Sequence, residues 1–279
     1  MARRLAFFGP AGTYTEEAAL LYDPNAELQA FPTIAAVGQA VVAQATEEGV
    51  VPIENSLEGS VTLTLDLLIR DSNLSIYQEV VLPINHYLMI NAGTNTDDIE
   101  IIYSHPQSLA QCREYLERRF PNAQQMASLS NSAAVSDMKE SRVAAAAIAS
   151  RRAAELYGAE VIDRDIQDVA NNVTRFAVLA RQDHPPTGDD KTSICFSFEQ
   201  DGPGLLYKTI GEFATRGINL VKVESRPTKQ SLGEYIFLID CSGHRNDPAV
   251  SEALASLQRE VSMLKVLGSY PCWDGGGAK

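Results

Sequence analysis

The chain has 279 residues, of which 45% are hydrophobic and 21% charged, and its formal net charge is −13 at pH 7. This is the composition of an ordinary globular protein with room for two domains. The acidic balance, and the absence of any apolar run near the ~20 residues of a membrane helix, exclude nucleic acid and a membrane as expected partners.

Four cysteines are scattered along the chain without metal-ligand spacing, which favours a reducing compartment and predicts no metal site. They are Cys112, Cys195, Cys241 and Cys272. At the N terminus, Arg3 and Arg4 precede only the short apolar run 5–8, too short for the core of a secretion signal. We therefore expect a cytoplasmic protein.

The first part of the chain alternates predicted strands and helices. Strands are predicted over 5–8, 28–31 and 49–53, a helix begins after Thr13, and a second helix runs over 34–45. Thr13 with Glu16 makes a capping box, and the glycine turn 9–12 ahead of it leaves backbone N–H groups that can hold an anion. A plain strand-turn-helix connection explains that turn equally well.

The β-α-β order predicts a mostly parallel sheet with helices on both faces. Ligands bind such sheets beyond the carboxyl ends of the strands, and the polar run Glu54-Asn55-Ser56 falls there. Ordinary turn residues are the alternative explanation of that run.

A second β-α series follows two extended runs. The runs are 74–82 and 85–90, and the later elements are a strand over 99–103, a helix from Pro106 to Phe120, a strand over 143–148, a helix over 150–157 and a strand over 160–162. Alanines leave a helix open as the alternative at 143–148. The two series predict two α/β lobes within residues 1–181, with a ligand cleft between them. Lobe 1 takes about 1–80 plus 165–181, and lobe 2 about 81–164.

Residues 182–190 are a Pro- and Gly-containing linker, and a second domain is predicted over 191–271, followed by a tail over 272–279. Its strands are predicted over 192–198, 218–225, 235–241 and 263–267, and its helices over 205–216 and 248–260. This βαββαβ order is the ferredoxin-like arrangement. The domain has no acid–base pair of its own, so a regulatory or oligomerising role is expected.

The run from Asn171 to Phe176 places a hydroxyl, on Thr174, beside a guanidinium, on Arg175. A neutral donor and a fixed cation can hold an anion while a proton reaches a leaving oxygen. The local sequence alone favours a simpler explanation, a strand that starts at the surface with a solvated arginine.

Several motifs in order make the chain resemble prephenate dehydratase with a C-terminal ACT domain, over nearly its full length. They are GPAGTYT (9–15), VPIENSLEGSV (51–61), HPQ (105–107) through Gln111-Cys112, TRF (174–176), and the ACT-like segments GINL (217–220) and ESRP (224–227). The resemblance implies a two-lobed α/β catalytic domain of the periplasmic-binding-protein type, followed by a ferredoxin-like ACT domain.

The resemblance also implies a reaction, in which prephenate loses water and carbon dioxide to give phenylpyruvate, without a cofactor or metal. It implies control by L-phenylalanine and a homodimer or homotetramer. Because the chain starts directly at the dehydratase lobe, we expect a monofunctional enzyme. The alternatives are arogenate dehydratase, which acts on the amino analogue of prephenate, and a two-lobed amino-acid-binding protein without catalysis.

By the same resemblance Thr174 is the catalytic residue. The substrate-binding candidates are Thr13, Asn55, Ser56, Ser104, Gln111 and Arg175. Arg175 either holds a substrate carboxylate or forms an internal pair with a carboxylate such as Glu54. Neutral donors have the advantage that they do not hold back the carboxylate that must leave.

The effector candidates lie in the second domain. They are Gly204, Leu205, Leu206, Asn219, Leu220, Glu224 and Ser225. Leu205 stands where the family usually has alanine, a departure that bears on effector affinity. Among the histidines, His86, His184 and His244 are expected to be solvated or structural, and His105 is expected to fix the turn before Pro106.

Overall fold

A computed structural model of the protein describes residues 2–71, 73–199, 202–228 and 234–275. Its strands form three sheets. We call the three units lobe 1 (residues 2–83 and 173–180), lobe 2 (87–164) and the C-terminal domain (190–271). Within the described ranges, no helix is long and apolar enough to span a membrane.

Lobe 1 begins with four strands and two helices whose order follows the prediction, together with a short strand and a third helix. These elements are β1 Arg4–Phe8, α1 Tyr14–Tyr22, β2 Glu27–Phe31, α2 Ile34–Val42, β3 Glu48–Asn55, β4 Gly59–Ser60, α3 Thr62–Arg70 and β5 Ser75–Pro83. Thr13 caps α1, and its hydroxyl accepts from the amide of Glu16. The Glu16 carboxylate accepts from the amide of Gly12, one residue before the cap.

Helices cover both faces of the lobe 1 sheet, because side chains alternate along its buried strands. Leu5 of β1 packs in one apolar cluster with Ala18 of α1. The next residue, Ala6, packs in another cluster with Val37 of α2. The predicted sheet with two covered faces is confirmed.

Lobe 2 repeats the arrangement. Its elements are β6 Tyr87–Ile90, β7 Ile101–Ser104, α4 Pro106–Gln111, α5 Arg113–Arg119, β8 Gln124–Ala127, α6 Asn131–Glu140, β9 Ala145–Ala149, α7 Arg151–Tyr157 and β10 Glu160–Arg164. A 3₁₀ turn, Thr96–Asp98, lies between β6 and β7. The alanine-rich run is the strand β9, buried at every position. Its small side chains pack against Ala134 and Met138 of α6.

Strand β11 Val173–Ala180 comes back from lobe 2 into the lobe 1 sheet, between β3 and β5 and antiparallel to both. The sheet order is β2-β1-β3-β11-β5, with the short β4 paired antiparallel to β3, so β1, β2, β3 and β5 share one direction. In lobe 2, with order β10-β6-β9-β7-β8, β6 is the reversed strand. The chain therefore crosses between the lobes twice, just after Pro83 and just before Val173.

The C-terminal domain has the predicted βαββαβ order, with an antiparallel sheet β13-β14-β12-β15. Its elements are β12 Asp190–Ser197, α8 Leu205–Ala214, β13 Leu220–Pro227, β14 Tyr235–Ser242, α9 Pro248–Glu260 and β15 Met263–Pro271. One sheet face carries the two helices, with Phe213 and Leu257 packed against Phe196 and Ile239. The ferredoxin-like prediction is confirmed.

The other face of that sheet packs on lobe 1. Leu238 and Tyr270 share an apolar cluster with Ile76 and Leu179 of lobe 1. The approach is close at Gly268, where a Cβ atom would lie 2.3 Å from the carbonyl oxygen of Ile76. Only glycine leaves room for this backbone contact.

Several boundaries differ from the sequence expectation. The helix expected from Pro106 to Phe120 is two helices, because Cys112 adopts a non-helical conformation between them. The lobe boundary expected near residue 80 falls inside β5. Helices α3 and α6 and strands β4 and β8 had no sequence prediction, and β8 is exposed at all four positions. The expected tail over 272–279 is described only to residue 275.

Candidate active site

A cavity of about 740 Å³ lies between the two lobes. The last residues of three lobe 1 strands, Phe8, Phe31 and Asn55, line one side, and the first turns of α1, α4 and α6 complete the walls. The cavity therefore occupies the position expected for a ligand, beyond the carboxyl ends of the parallel strands.

The cavity wall contains no Asp, Glu, Lys or Arg among the described residues. Helices α1 and α6 instead present their first turns to it, through Tyr14 and Thr15 and through Asn131 and Ala133. First-turn N–H groups have no partner inside the helix and form the positive end of its dipole. This wall can attract an anion without a basic side chain.

Six polar side chains form a continuous hydrogen-bonded chain along the cavity wall, from both lobes. They are, in order, Thr174, Asn55, Asn172, Gln111, His86 and Tyr14. Asn55 Nδ2 donates to Thr174 Oγ1 (2.9 Å) and to Asn172 Oδ1 (2.7 Å). Asn172 Nδ2 donates to Gln111 Oε1 (3.0 Å). His86 joins Gln111 to Tyr14, with Nε2 3.0 Å from Gln111 Oε1 and Nδ1 2.9 Å from the phenol oxygen.

Thr174 is 8% exposed and lies near the start of β11, opposite Asn55 on β3 and Leu82 on β5. Because Asn55 donates to the Thr174 oxygen, the hydroxyl hydrogen of Thr174 is left available for another acceptor. Thr174 is thus a neutral donor facing the cavity.

His86 is 1% exposed, so of the two expectations, solvated or structural, the burial excludes the solvated one. Burial lowers its pKa, against the opposing effect of the hydrogen bond with Gln111, and the imidazole stays neutral near pH 7. Burial likewise raises the pKa of Tyr14, with Glu17 adding to the effect. The hydrogen-bonded chain of side chains from Thr174 to Tyr14 therefore consists of neutral groups throughout.

His105 caps α4, because its Nδ1 accepts from the amide of Gln107 at 3.3 Å. This is the turn-fixing position expected beside Pro106, although His105 also lines the cavity. His184 packs against Tyr77, and His244 is buried with Nε2 2.9 Å from the His184 carbonyl oxygen. In the described parts of the chain, no group of three His, Cys, Asp or Glu side chains is placed to hold a metal ion.

The structure separates the expected substrate-binding residues into two groups. Thr13, Asn55, Gln111 and the catalytic candidate Thr174 line the cavity, and Ser56, Ser104 and Arg175 do not. Ser104 is fully buried behind the wall and donates to the carbonyl of Ile148 at 2.7 Å. Ser56 accepts from the amide of Val173 at 3.0 Å, which fastens the start of β11 to the end of β3.

Arg175 points away from the cavity because successive side chains of a strand alternate between its faces. Its guanidinium pairs with Asp240 of the C-terminal domain (2.8 Å) and with Glu54 (2.9 Å) and Glu79 (3.4 Å) of lobe 1. Burial alone lowers the pKa of Arg175, but the Tyr270 phenol and these carboxylates outweigh it and raise the pKa. In this arrangement the internal pair with Glu54 is formed, and the guanidinium does not reach the cavity.

Two lysines extend this ion-pair network across the same interface. Lys191 Nζ lies 2.9 Å from Glu79, and Lys222 Nζ lies 3.3 Å from Glu54. Lys222 also pairs with Glu224, which accepts from the hydroxyl of Ser60. The network joins the C-terminal sheet to the back of the strand that carries Thr174.

The effector candidates lie on two sides of the C-terminal sheet. Gly204 precedes α8 with φ of 85°, and Leu206 and Leu220 pack in the same apolar cluster on the helix-bearing face. Glu224 is on the other face, where it contacts lobe 1. Leu205 is partly buried, and Asn219 and Ser225 are exposed.

Several polar residues of the cavity wall were not among the sequence candidates, including Tyr14, His86, Asn131 and Asn172. Tyr14 lies inside the GPAGTYT motif and Asn172 lies two residues before Thr174, so their position beside site candidates is a usable signal. Asn131 follows the cap residue Ser130, and a capping pattern there was the only local signal of α6. His86 had no local signal, because its partners are 72 and 25 residues away.

The fold and this cleft define a two-lobed α/β enzyme with a separate ferredoxin-like domain packed behind its site. The family model for prephenate dehydratase matches residues 5–184, and the model for the ACT domain matches residues 200–259. The chain belongs to the prephenate dehydratase family and is a carbon–oxygen lyase with a C-terminal ACT domain.

Relatives agree with this assignment over most of the chain. The bifunctional chorismate mutase/prephenate dehydratase of Stutzerimonas stutzeri is 43% identical, over 96% of this chain and 73% of its own length. The prephenate dehydratase of Methanocaldococcus jannaschii is 37% identical, over 98% of this chain and 100% of its own. The crystal structure of prephenate dehydratase from Arthrobacter aurescens in complex with L-Phe has a TM-score of 0.90 and 36% identity, covering 99% of this chain and 92% of that one.

Arg175→Met should lower the free energy of unfolding by about 3 kcal/mol, because it leaves buried carboxylates without the cation between them. Denaturant titration measures the change. Arg113→Met is the matched control, since the pair of Arg113 with Glu117 is exposed and its loss should be close to neutral. Equal stability of the Arg175→Met protein and the parent would contradict the role of this network.

Proposed function

We propose that this protein converts prephenate to phenylpyruvate with loss of water and carbon dioxide. The observation that carries the proposal is the Thr174 hydroxyl, held by Asn55 with its hydrogen free, in a cavity wall of neutral donors. The reaction breaks the bond between the ring and its hydroxyl group and the bond between the ring and its carboxylate. The electron pair of the second bond enters the ring, which becomes aromatic.

Thr174 has the chemistry for the departing hydroxyl group: it passes its hydroxyl proton to that group, which leaves as water, and it regains a proton from solvent. The carboxylates of prephenate need donors too, and amide side chains and helix N–H groups supply these without a formal charge. A cation against the ring carboxylate would stabilise the ground state and oppose decarboxylation. The neutral wall avoids that cost.

We further propose that prephenate is preferred over arogenate. Arogenate carries an ammonium group where prephenate carries a keto group. An ammonium group that is transferred from solvent into a cavity needs a carboxylate or several hydrogen-bond acceptors there. The described cavity wall has no Asp or Glu. A keto oxygen needs only donors, which this wall has.

With both substrates supplied to the purified protein, kcat/KM for prephenate should exceed that for arogenate by about tenfold or more, the value of one unpaired charge or hydrogen bond. Phenylpyruvate and phenylalanine are the products to follow. An equal or higher kcat/KM for arogenate would refute the preference, and no turnover of either substrate would refute the enzyme function.

Thr174→Ala should lower kcat by about 10² to 10⁴, the usual range for a positioned proton donor. Thr174→Ser keeps a hydroxyl group and should retain more activity than the alanine variant. Steady-state rates with prephenate measure both, and the thermal midpoint checks that the variants remain folded. Parent-like turnover by Thr174→Ala would remove Thr174 from the mechanism.

We also propose that the C-terminal domain binds L-phenylalanine and that binding alters the cleft. The L-Phe complex of the Arthrobacter relative supports this, as does the pairing of Leu206 with Leu220 in one apolar cluster. The contact of Asp240 with Arg175, the neighbour of Thr174, supports a coupling of this domain to the cleft. The edge strand β13, with exposed Val221 and Val223, supports pairing of these domains in a homodimer or homotetramer.

Calorimetry on the full chain should detect L-phenylalanine binding, and Asn219→Ala should weaken it by about tenfold, as expected for one hydrogen bond to a charged ligand. Asn246→Ala, exposed in the same domain, is the control. Prephenate and L-phenylalanine should change each other's affinity by the same factor. Light scattering gives the mass with and without ligand. If calorimetry detects no heat of binding at millimolar L-phenylalanine, the proposal is refuted.

A further inference from the structure

We propose that His86 is a positioning residue, which holds the Gln111 amide so that its N–H group faces the substrate. The inference rests on the proposed function, because the ligand it serves is a substrate carboxylate in the same cavity. Its basis is the direction of each hydrogen bond in the chain from Thr174 to Tyr14.

The donor and acceptor roles along this hydrogen-bonded chain of side chains are fixed at one end by backbone N–H groups. Asn55 Oδ1 accepts from the amides of Leu57 (3.0 Å) and Glu58 (3.1 Å), and a backbone N–H can only donate. The other amide atom of Asn55 is therefore the nitrogen, which donates to Asn172 Oδ1 at 2.7 Å. Asn172 must then turn its own nitrogen toward Gln111.

Gln111 is oriented by the same logic. Its Oε1 accepts from Asn172 Nδ2 at 3.0 Å, so the atom facing His86 Nε2, also at 3.0 Å, is again this oxygen. An oxygen of this kind cannot donate, and His86 must carry a hydrogen on Nε2. The neutral ring then has a bare Nδ1, and the single hydroxyl hydrogen of Tyr14 lies between two acceptors, this Nδ1 at 2.9 Å and the carbonyl oxygen of Asn85 at 2.7 Å.

The remaining atom, Gln111 Nε2, is buried and has no hydrogen-bond partner among the described residues. A buried N–H donor without a partner is costly, by about 1–3 kcal/mol, and is normally satisfied by a ligand or water. Gln111 lines the cavity, and its Nε2 atom, which has almost no accessible surface in this structure, carries the N–H donor that a carboxylate requires. If the amide turned over, its oxygen would face the ligand instead and repel it.

Two bonds hold the amide against that rotation, one from Asn172 and one from His86. Asn172 lies on the segment that enters β11, and His86 lies on the segment that leaves β5, so both chain crossings between the lobes contribute. Tyr14 completes the arrangement from α1, and its hydroxyl also lies 2.7 Å from the carbonyl oxygen of Asn85. Gln111 is thus oriented by residues at the junction of the two lobes.

The test uses the two amide replacements of histidine. His86→Gln can place an N–H group near the position of Nε2, and His86→Asn can place one only near Nδ1. With prephenate, His86→Asn should raise KM by about tenfold or more and change kcat less, whereas His86→Gln should restore most of the affinity. Thermal midpoints report whether each variant folds.

A double-mutant cycle separates positioning from a general structural effect. In the Gln111→Met background, which keeps the shape of the side chain but removes the amide, His86→Asn should no longer raise KM. A rise in KM of the same size in both backgrounds would overturn the proposal. So would His86→Gln behaving like His86→Asn in the parent background.

The tautomer of His86 can be read without turnover. Long-range ¹H–¹⁵N correlation spectra of the parent protein should show the hydrogen on Nε2 and a bare Nδ1 near pH 7. A hydrogen on Nδ1 would overturn the orientation of Gln111 whatever the substrate. If the parent protein does not turn over prephenate, the proposed function fails, and the spectrum still decides the orientation.

Discussion

The alternation of side chains along β11 is the constraint on which the rest of the structure depends. Thr174 faces the cleft, and Arg175, the next residue, faces the C-terminal domain and pairs with Asp240 there. Since β11 lies between β3 and β5, it cannot move without disturbing the lobe 1 sheet. The C-terminal domain is therefore tied, through the ion pair of Arg175, to the strand that carries Thr174, the proposed catalytic residue.

The two faces of β11 differ in how they deal with charge. The interface behind it concentrates acids and bases, including Glu54, Glu79, Lys191 and Lys222, in a partly buried ion-pair network. The cleft in front has no acid or base among its described lining residues, although the whole chain carries a formal charge of −13. Charges beyond a Debye length of about 8 Å are screened, so a dianionic substrate meets mainly the local donors. A neutral wall suits a reaction in which one carboxylate must be released.

The sequence by itself was sufficient for the architecture. Apolar periodicity, capping residues and the β-α-β order identified two α/β lobes and a βαββαβ domain, because these signals come from neighbouring residues and from burial on one face of each element. The same local signals placed Thr13, Asn55 and Thr174 at strand ends and helix starts, where the cavity is found. They failed where the pattern is weak, as at the exposed strand β8 and the helix break at Cys112.

Only the tertiary structure decided which polar residues share the cavity and which face the other domain. Asn55 and Asn172 are 117 residues apart in the chain, and Tyr14 and His86 are 72 apart, so no local pattern relates them. Ser104 directly precedes the HPQ motif and Arg175 belongs to the TRF motif, yet Ser104 is buried behind the wall and Arg175 is paired across the domain interface. The sequence determined the elements and their order, because these follow from local periodicity. The packing of lobes and domains decided the partners of each side chain, because hydrogen bonds and ion pairs depend on distances that only the folded chain fixes.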